Sequence, residues 1–90
     1  MFVWDEKKRL SNLEKHGLDL VDASLVYDSP VKITVESRQR DEDRMMDMAM
    51  VKLAETVLVL VYTIRGDDIR VISFCRASRA ERRFYEQAAS

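Results

Sequence analysis

The chain has one cysteine, one histidine, one proline and two glycines among its 90 residues. A single thiol, Cys75, cannot build an intrachain disulfide framework, and a single imidazole, His16, leaves a Cys/His zinc cage without ligands. So little glycine and proline, beside 47% hydrophobic and 34% charged residues, excludes collagen-like and disordered chains. Long apolar runs are lacking as well: Val57 to Val61, with Tyr62 behind it, falls far short of the ~20 residues of a membrane helix. The first ten residues turn polar at Asp5 and carry no secretory-type apolar stretch, so the expectation is a cytoplasmic, reducing setting, which suits a lone thiol. At this length a single domain over residues 1–90 is expected.

The net charge of −1 conceals a division along the chain. Residues 1–43 carry ten acids against seven bases, whereas residues 44–90 carry eight bases against six acids. Arg76 to Arg83 holds four arginines and one glutamate, and no lysine follows Lys52. The planar guanidinium fork matches phosphate better than an ammonium does, so an arginine-only patch points to a phosphate-bearing partner. The competing reading is a solvated helix face.

Helix signals mark both ends. Phe2, Val3 and Trp4 form a short apolar strand, Asp5 offers an N-cap, and Glu6 sits in the positive first turn of a helix running to His16. Leu10 and Leu13 are its expected inward residues, and Gly17 suits the left-handed position after its end. Asp19 caps a second helix through about Val26, which Ser29-Pro30 terminates. Val31, Ile33 and Val35 alternate as an edge strand, and the charged stretch Glu36 to Asp43 reads as a mobile loop. Met45 to Leu53 suits a helix by composition and a strand by position; a strand is expected. Thr56 to Ile64 has the composition of a central strand buried on both faces, Gly66-Asp67 supplies a turn, and Ile69 to Cys75 returns. Ser78 and Glu81 form a capping box for a last helix from Arg79 towards Ala88. The predicted order is β-α-α-β-β-β-α, an α+β domain.

With Gly66-Asp67 as a two-residue loop, Thr63 lies opposite Arg70, Val61 opposite Ile72, Val59 opposite Phe74 and Val57 opposite Arg76. Arg70 and Arg76 would then share a sheet face, continued by Arg65, while Arg79, Arg82 and Arg83 form one face of the last helix. Their alternative partners are acids: Asp67 or Asp68 for Arg65 and Arg70, and Glu86 for Arg82. His16 is the one side chain whose ordinary pKa suits proton transfer near neutrality, although a histidine closing a helix also serves its dipole. Tyr62 and Tyr85 are placed for base stacking or for packing. Cys75 reads as buried and inert, and the methionines between Met45 and Met50 as adaptable packing or a partner surface.

Several stretches resemble the BrnT family of ribonuclease toxins. They are Trp4-Asp5-Glu6-Lys7-Lys8; Asn12-Leu13-Glu14-Lys15-His16-Gly17; Asp28 and Pro30; Val61 to Asp67 with Ile69 to Ser73; and Ala77-Ser78-Arg79, Glu81-Arg82-Arg83 and Tyr85-Glu86. The resemblance implies a small RelE-like domain with an antiparallel sheet, two N-terminal helices and one C-terminal helix. It also implies a cytoplasmic, metal-independent endoribonuclease that needs no cofactor and inhibits translation. The implied partners are RNA and a BrnA-like antitoxin in a heterotetramer of two toxins and two antitoxins, which reaches operator DNA only through the antitoxin. In that chemistry His16 or Lys15 would accept a proton, Arg65, Arg70 and Arg79 would clamp phosphate, Tyr62 or Tyr85 would position substrate, and Arg76, Arg82 and Arg83 would bind RNA. The chain departs from the family pattern at Cys75, commonly a basic residue, and in Met45 to Glu55, which lacks the usual glycines. Two alternatives accompany this reading: an attenuated toxin that binds its antitoxin without efficient cleavage, and a non-catalytic RNA-binding or adaptor domain.

Overall fold

The computed structural model describes residues 1–39 and 42–89. Strand β1 (Phe2–Val3) and helix α1 (Glu6–His16) lead into a 3₁₀ turn at Leu20–Asp22 and the short α2 (Ser24–Tyr27). Four strands follow, β2 (Ile33–Gln39), β3 (Glu42–Val51), β4 (Thr56–Arg65) and β5 (Asp68–Arg76), and then α3 (Arg79–Ala89). The sheet order is β1-β5-β4-β3-β2. This corrects the expected architecture twice, since the order is β-α-α-β-β-β-β-α and the sheet is mixed rather than antiparallel. Consecutive strands from β2 to β5 pair antiparallel, whereas β1 reaches β5 through the helices and lies parallel to it.

The predicted order is one strand short, and the charged stretch read as a mobile loop in fact prolongs the edge strand begun at Ile33 and opens β3. There Glu36 pairs with Met45, Ser37 with Arg44, Arg38 with Asp43 and Gln39 with Glu42. An edge ribbon with a solvated face tolerates such residues, and Arg38 meets Asp43 in an ion pair at 3.4 Å. Residues 40 and 41 of that stretch lie outside the described residues. The expected second helix is also broken. Asp19 caps only the 3₁₀ turn, and Leu20, Ala23 and Val26 reach the core at a spacing of three.

Helix α1 has the predicted ends: the Asp5 carboxylate accepts from Lys7 N–H at 2.8 Å, and Gly17 takes φ +69°. Its inward face differs from expectation, because Leu10 and Leu13 remain 53% and 41% exposed while Asn12 is buried. Asn12 Nδ2 donates to the carbonyls of Phe74 (2.6 Å) and Leu18 (2.9 Å), and its Oδ1 accepts from Phe74 N–H at 3.1 Å. Strand β1 pairs with β5 only at Ile69 and Arg70, so β5 has an open edge at Phe74. The carboxamide fills it as a neighbouring strand would. An unpaired buried amide costs more than leaving two leucines half in water, and this need sets the helix orientation.

Both sheet faces are covered. Leu20, Ala23 and Val26 pack on Ala49, Leu58, Leu60, Tyr62, Val71 and Phe74 on one face, and Met48, Val57 and Val59 pack with Tyr85 of α3 on the other. As expected, β4 buries residues on both sides.

Asn12→Ala is expected to lower the unfolding free energy by about 2 kcal/mol in urea titrations, because both backbone groups of Phe74 lose their partner. Asn12→Asp should destabilise too, since it sets a carboxylate against two carbonyl oxygens. Leu10→Ser should shift stability by no more than about 0.5 kcal/mol.

Candidate nucleic-acid interface

The β4–β5 hairpin begins as predicted, with Arg65 opposite Asp68 around Gly66-Asp67 and Thr63 opposite Arg70. The register then slips. Tyr62 pairs with Val71 but Val61 with Ser73, so Ile72 is an extra residue in a β-bulge. Beyond it the pairs are Val59 with Cys75, Leu60 with Phe74 and Leu58 with Arg76, in place of the expected Val61–Ile72, Val59–Phe74 and Val57–Arg76. An inserted residue reverses the alternation, so Arg70 and Arg76 lie on opposite faces of the sheet.

On its new face Arg76 meets the end of α1, donating from Nη1 to the His16 carbonyl at 3.0 Å. A guanidinium there satisfies an orphan carbonyl and complements the helix dipole. Beside it a shallow cleft of about 210 Å³ opens between α1 and β5, lined by Lys8, Ser11, Asn12, Lys15, His16, Ile72 and Ser73. Lys8, Asn12 and Lys15 share one face of the helix by their i, i+4, i+7 spacing. The structure therefore brings Lys15, His16 and Arg76 together, with Lys8 added. Lys8 was not singled out from sequence, although the same spacing carried its signal. Among the described residues the cleft lining offers cations and the Ser11 hydroxyl without a carboxylate.

Arg65 and Arg70 lie on the opposite face, the one that α3 covers. Arg65 pairs with Glu42 at 3.0 Å rather than with Asp67 or Asp68. Arg70 is half-buried opposite Thr63, whose hydroxyl donates to the Asp43 carbonyl at 2.8 Å. Arg44 is on β3 one residue past the Met45–Tyr62 pair, and its Nε is buried without a partner among the described residues. On α3, Arg79, Arg82 and Arg83 are exposed, and among the described residues Arg82 makes no ion pair with Glu86.

The two candidate tyrosines are buried in the fold. Tyr62 donates its hydroxyl to Asp47 Oδ2 at 3.0 Å, and the fully buried Asp47 also accepts from Lys32 Nζ (2.9 Å) and Thr34 Oγ1 (2.6 Å). Lys32 Nζ lies 4.2 Å from the centre of the Tyr27 ring, which meets Phe2 and Tyr62 edge-on. Burial, and then the charge of Asp47, pushes the Tyr62 phenol well above its ordinary range. Tyr85 accepts from Met50 N–H (3.3 Å) and donates to the Val31 carbonyl (3.0 Å), tying α3 to the sheet. Cys75 is half-buried in the core under α3, and burial, with Glu81 nearby, raises its thiol. Among the described residues no helix is long and apolar enough to cross a membrane.

Residues 4–81 match the sequence model of a family described as the ribonuclease toxin, BrnT, of type II toxin–antitoxin systems. No curated protein sequence matches the chain.

Tyr62→Phe should cost about 1 kcal/mol at neutral pH, the usual net worth of such a hydrogen bond. Because the fold holds the phenol neutral, wild-type stability is fully present below the ordinary tyrosine pKa of about 10 and falls as pH rises above it, where the unfolded chain releases the proton first. Urea titrations at rising pH should therefore show the gap between wild type and Tyr62→Phe narrowing above about pH 10.

Proposed function

The chain belongs to the BrnT family of ribonuclease toxins of type II toxin–antitoxin systems, and from that premise we propose that it is a metal-independent endoribonuclease whose cleavage centre is the cleft between α1 and β5. The observation that carries this reading is that His16, Lys15 and Lys8 line the cleft beside the β5 bulge, with the Arg76 guanidinium held at the adjoining end of α1 by the His16 carbonyl. Cleavage by the RNA itself needs a base for the ribose 2′-hydroxyl and cations for the crowded phosphate. His16 or Lys15 takes the 2′ proton, the 2′-oxygen bonds to phosphorus, and the bond to the 5′-oxygen breaks. That oxygen takes a proton from the Lys8 ammonium or from water, and a 2′,3′-cyclic phosphate remains. Arg76 and Lys8 stabilise the added negative charge, and Ser11 offers a hydroxyl donor beside it.

Arg65, Arg70, Arg79, Arg82 and Arg83, on the α3 side of the sheet, hold flanking phosphates rather than the reacting one. Tyr62 and Tyr85 act by holding the sheet and α3 together rather than by touching RNA. The partner is a BrnA-like antitoxin, in a cytoplasmic complex of two toxins and two antitoxins that meets operator DNA through the antitoxin. Unchecked cleavage inhibits translation. Cys75 favours a second reading, an attenuated toxin: it packs in the core under α3 where the family commonly has a basic residue.

Incubation of labelled RNA with the protein in EDTA is expected to yield fragments ending in a cyclic phosphate. His16→Ala and Arg76→Ala should each slow cleavage about 100-fold or more, while retaining the wild-type circular dichroism spectrum. If Lys15→Ala alone abolishes cleavage, the base is Lys15; unchanged rates in all three variants would reject the cleft. Intact RNA from wild-type protein that still binds antitoxin would support attenuation.

A further inference from the structure

On the face opposite the cleft, α3 covers the sheet incompletely. Between α3 and the β2–β3 ribbon runs an apolar groove of about 260 Å³, lined by Val35, Met46, Met48, Ala80, Glu81 and Phe84. Phe84 stands 49% exposed at its lip. Among the described residues Glu81 is the sole ionisable one in the lining, and its carboxylate is committed to Ser78 N–H at 2.8 Å. Helical geometry puts Arg83 and Arg79 on the outer flank of Ala80 and Phe84. Across the groove, the register puts Arg44 and Arg70 in the next row beyond Val35 and Met46. None of these four arginines forms an ion pair among the described residues, and Arg44 Nε is buried without an acceptor.

An apolar floor between unpaired cations is complementary to an amphipathic helix with apolar anchors and acidic flanks. Methionine walls adapt to such anchors, and the volume takes a few side chains from a helix lying across it. RNA fits the rim but not the floor, which has no free hydroxyl or amide for a base edge and a single aromatic ring for stacking. A type II toxin has an antitoxin partner. We propose that this groove is the docking site for an acidic amphipathic helix of the antitoxin, with apolar side chains against Phe84 and Met46 and carboxylates on Arg79, Arg83 and Arg44. The proposal rests on the toxin reading above and extends it to inhibition. Binding here covers the arginines that hold flanking phosphates, so the antitoxin excludes RNA without entering the cleavage cleft.

The test is a titration of the purified protein with its co-encoded BrnA-like antitoxin, with hydrogen exchange on the complex. Phe84→Asp and Met46→Asp should each weaken binding by at least about 30-fold, the scale of a central interface residue. Wild-type affinity should fall steeply with salt, and Arg79→Glu with Arg83→Glu should remove most of that dependence. Exchange should slow in residues 33–37, 44–48 and 79–85. Phe84→Asp should still cleave RNA and resist inhibition, which separates lost docking from lost folding. Full affinity in both groove variants, or protection confined to α1 and the cleft, would overturn the docking site while leaving the toxin reading standing. RNA crosslinking to Phe84 or Met46 would assign the groove to substrate and overturn it too. Failure of wild-type protein both to bind the antitoxin and to cleave RNA would remove both readings.

Discussion

The arrangement of this small domain depends on one carboxamide. Asn12 gives the backbone of Phe74 a donor and an acceptor where β1 has ended, and it holds the Leu18 carbonyl as well. A helix side chain thereby does the work of a missing stretch of edge strand. The docking fixes which face of α1 turns inward and how far along β5 the helix lies. Everything in the cleft follows from that placement: Lys8 and Lys15 flank Asn12 on the same helical face, and His16 ends close enough to β5 for Arg76 to close the helix.

The bulge at Ile72 supplies the second half of the arrangement. A regular hairpin would have put Arg70 and Arg76 on one face and concentrated positive charge beside α3. One extra residue divides the charge instead, leaving Arg76 to the helix end and Arg70 to the far side. The chain thus presents two basic surfaces separated by the thickness of a sheet, one with a histidine and one with an apolar floor. Their separation is what lets substrate chemistry and partner recognition be assigned to different places.

Elements marked by local chemistry were legible in the sequence. Asp5, Gly17, Ser78 with Glu81, and Gly66-Asp67 each satisfy or redirect backbone groups within a few residues, and each element boundary they announce is present. Features set by distant partners were not. The strand ends at Glu36–Gln39 and Glu42–Asp43 carry charge because they lie at an edge, which composition alone reads as loop. Leu10 and Leu13 look like a core stripe until a polar demand on β5, 62 residues away from Asn12, outweighs them. The bulge leaves no trace in the apolar pattern, because Val71, Ile72 and Ser73 would suit either register. Asp47 is similar: nothing near it in sequence announces that Lys32, Thr34 and Tyr62 will converge on a buried carboxylate.

The parallel pairing of β1 with β5 has a consequence for the order in which the molecule can be made. Phe2 and Val3 find Ile69 and Arg70, and Asn12 finds Phe74, so β1 and α1 take their places on the sheet through partners 62 or more residues further along the chain. Loop closure over such separations comes late and slowly compared with local hairpins. While β5 is still unsynthesised, α1 has no β5 edge to dock on, and His16 has neither Arg76 nor Ser73 beside it. A nascent chain therefore carries the residues of the cleft without its geometry, and the cleft itself comes into being only once β5 has been made.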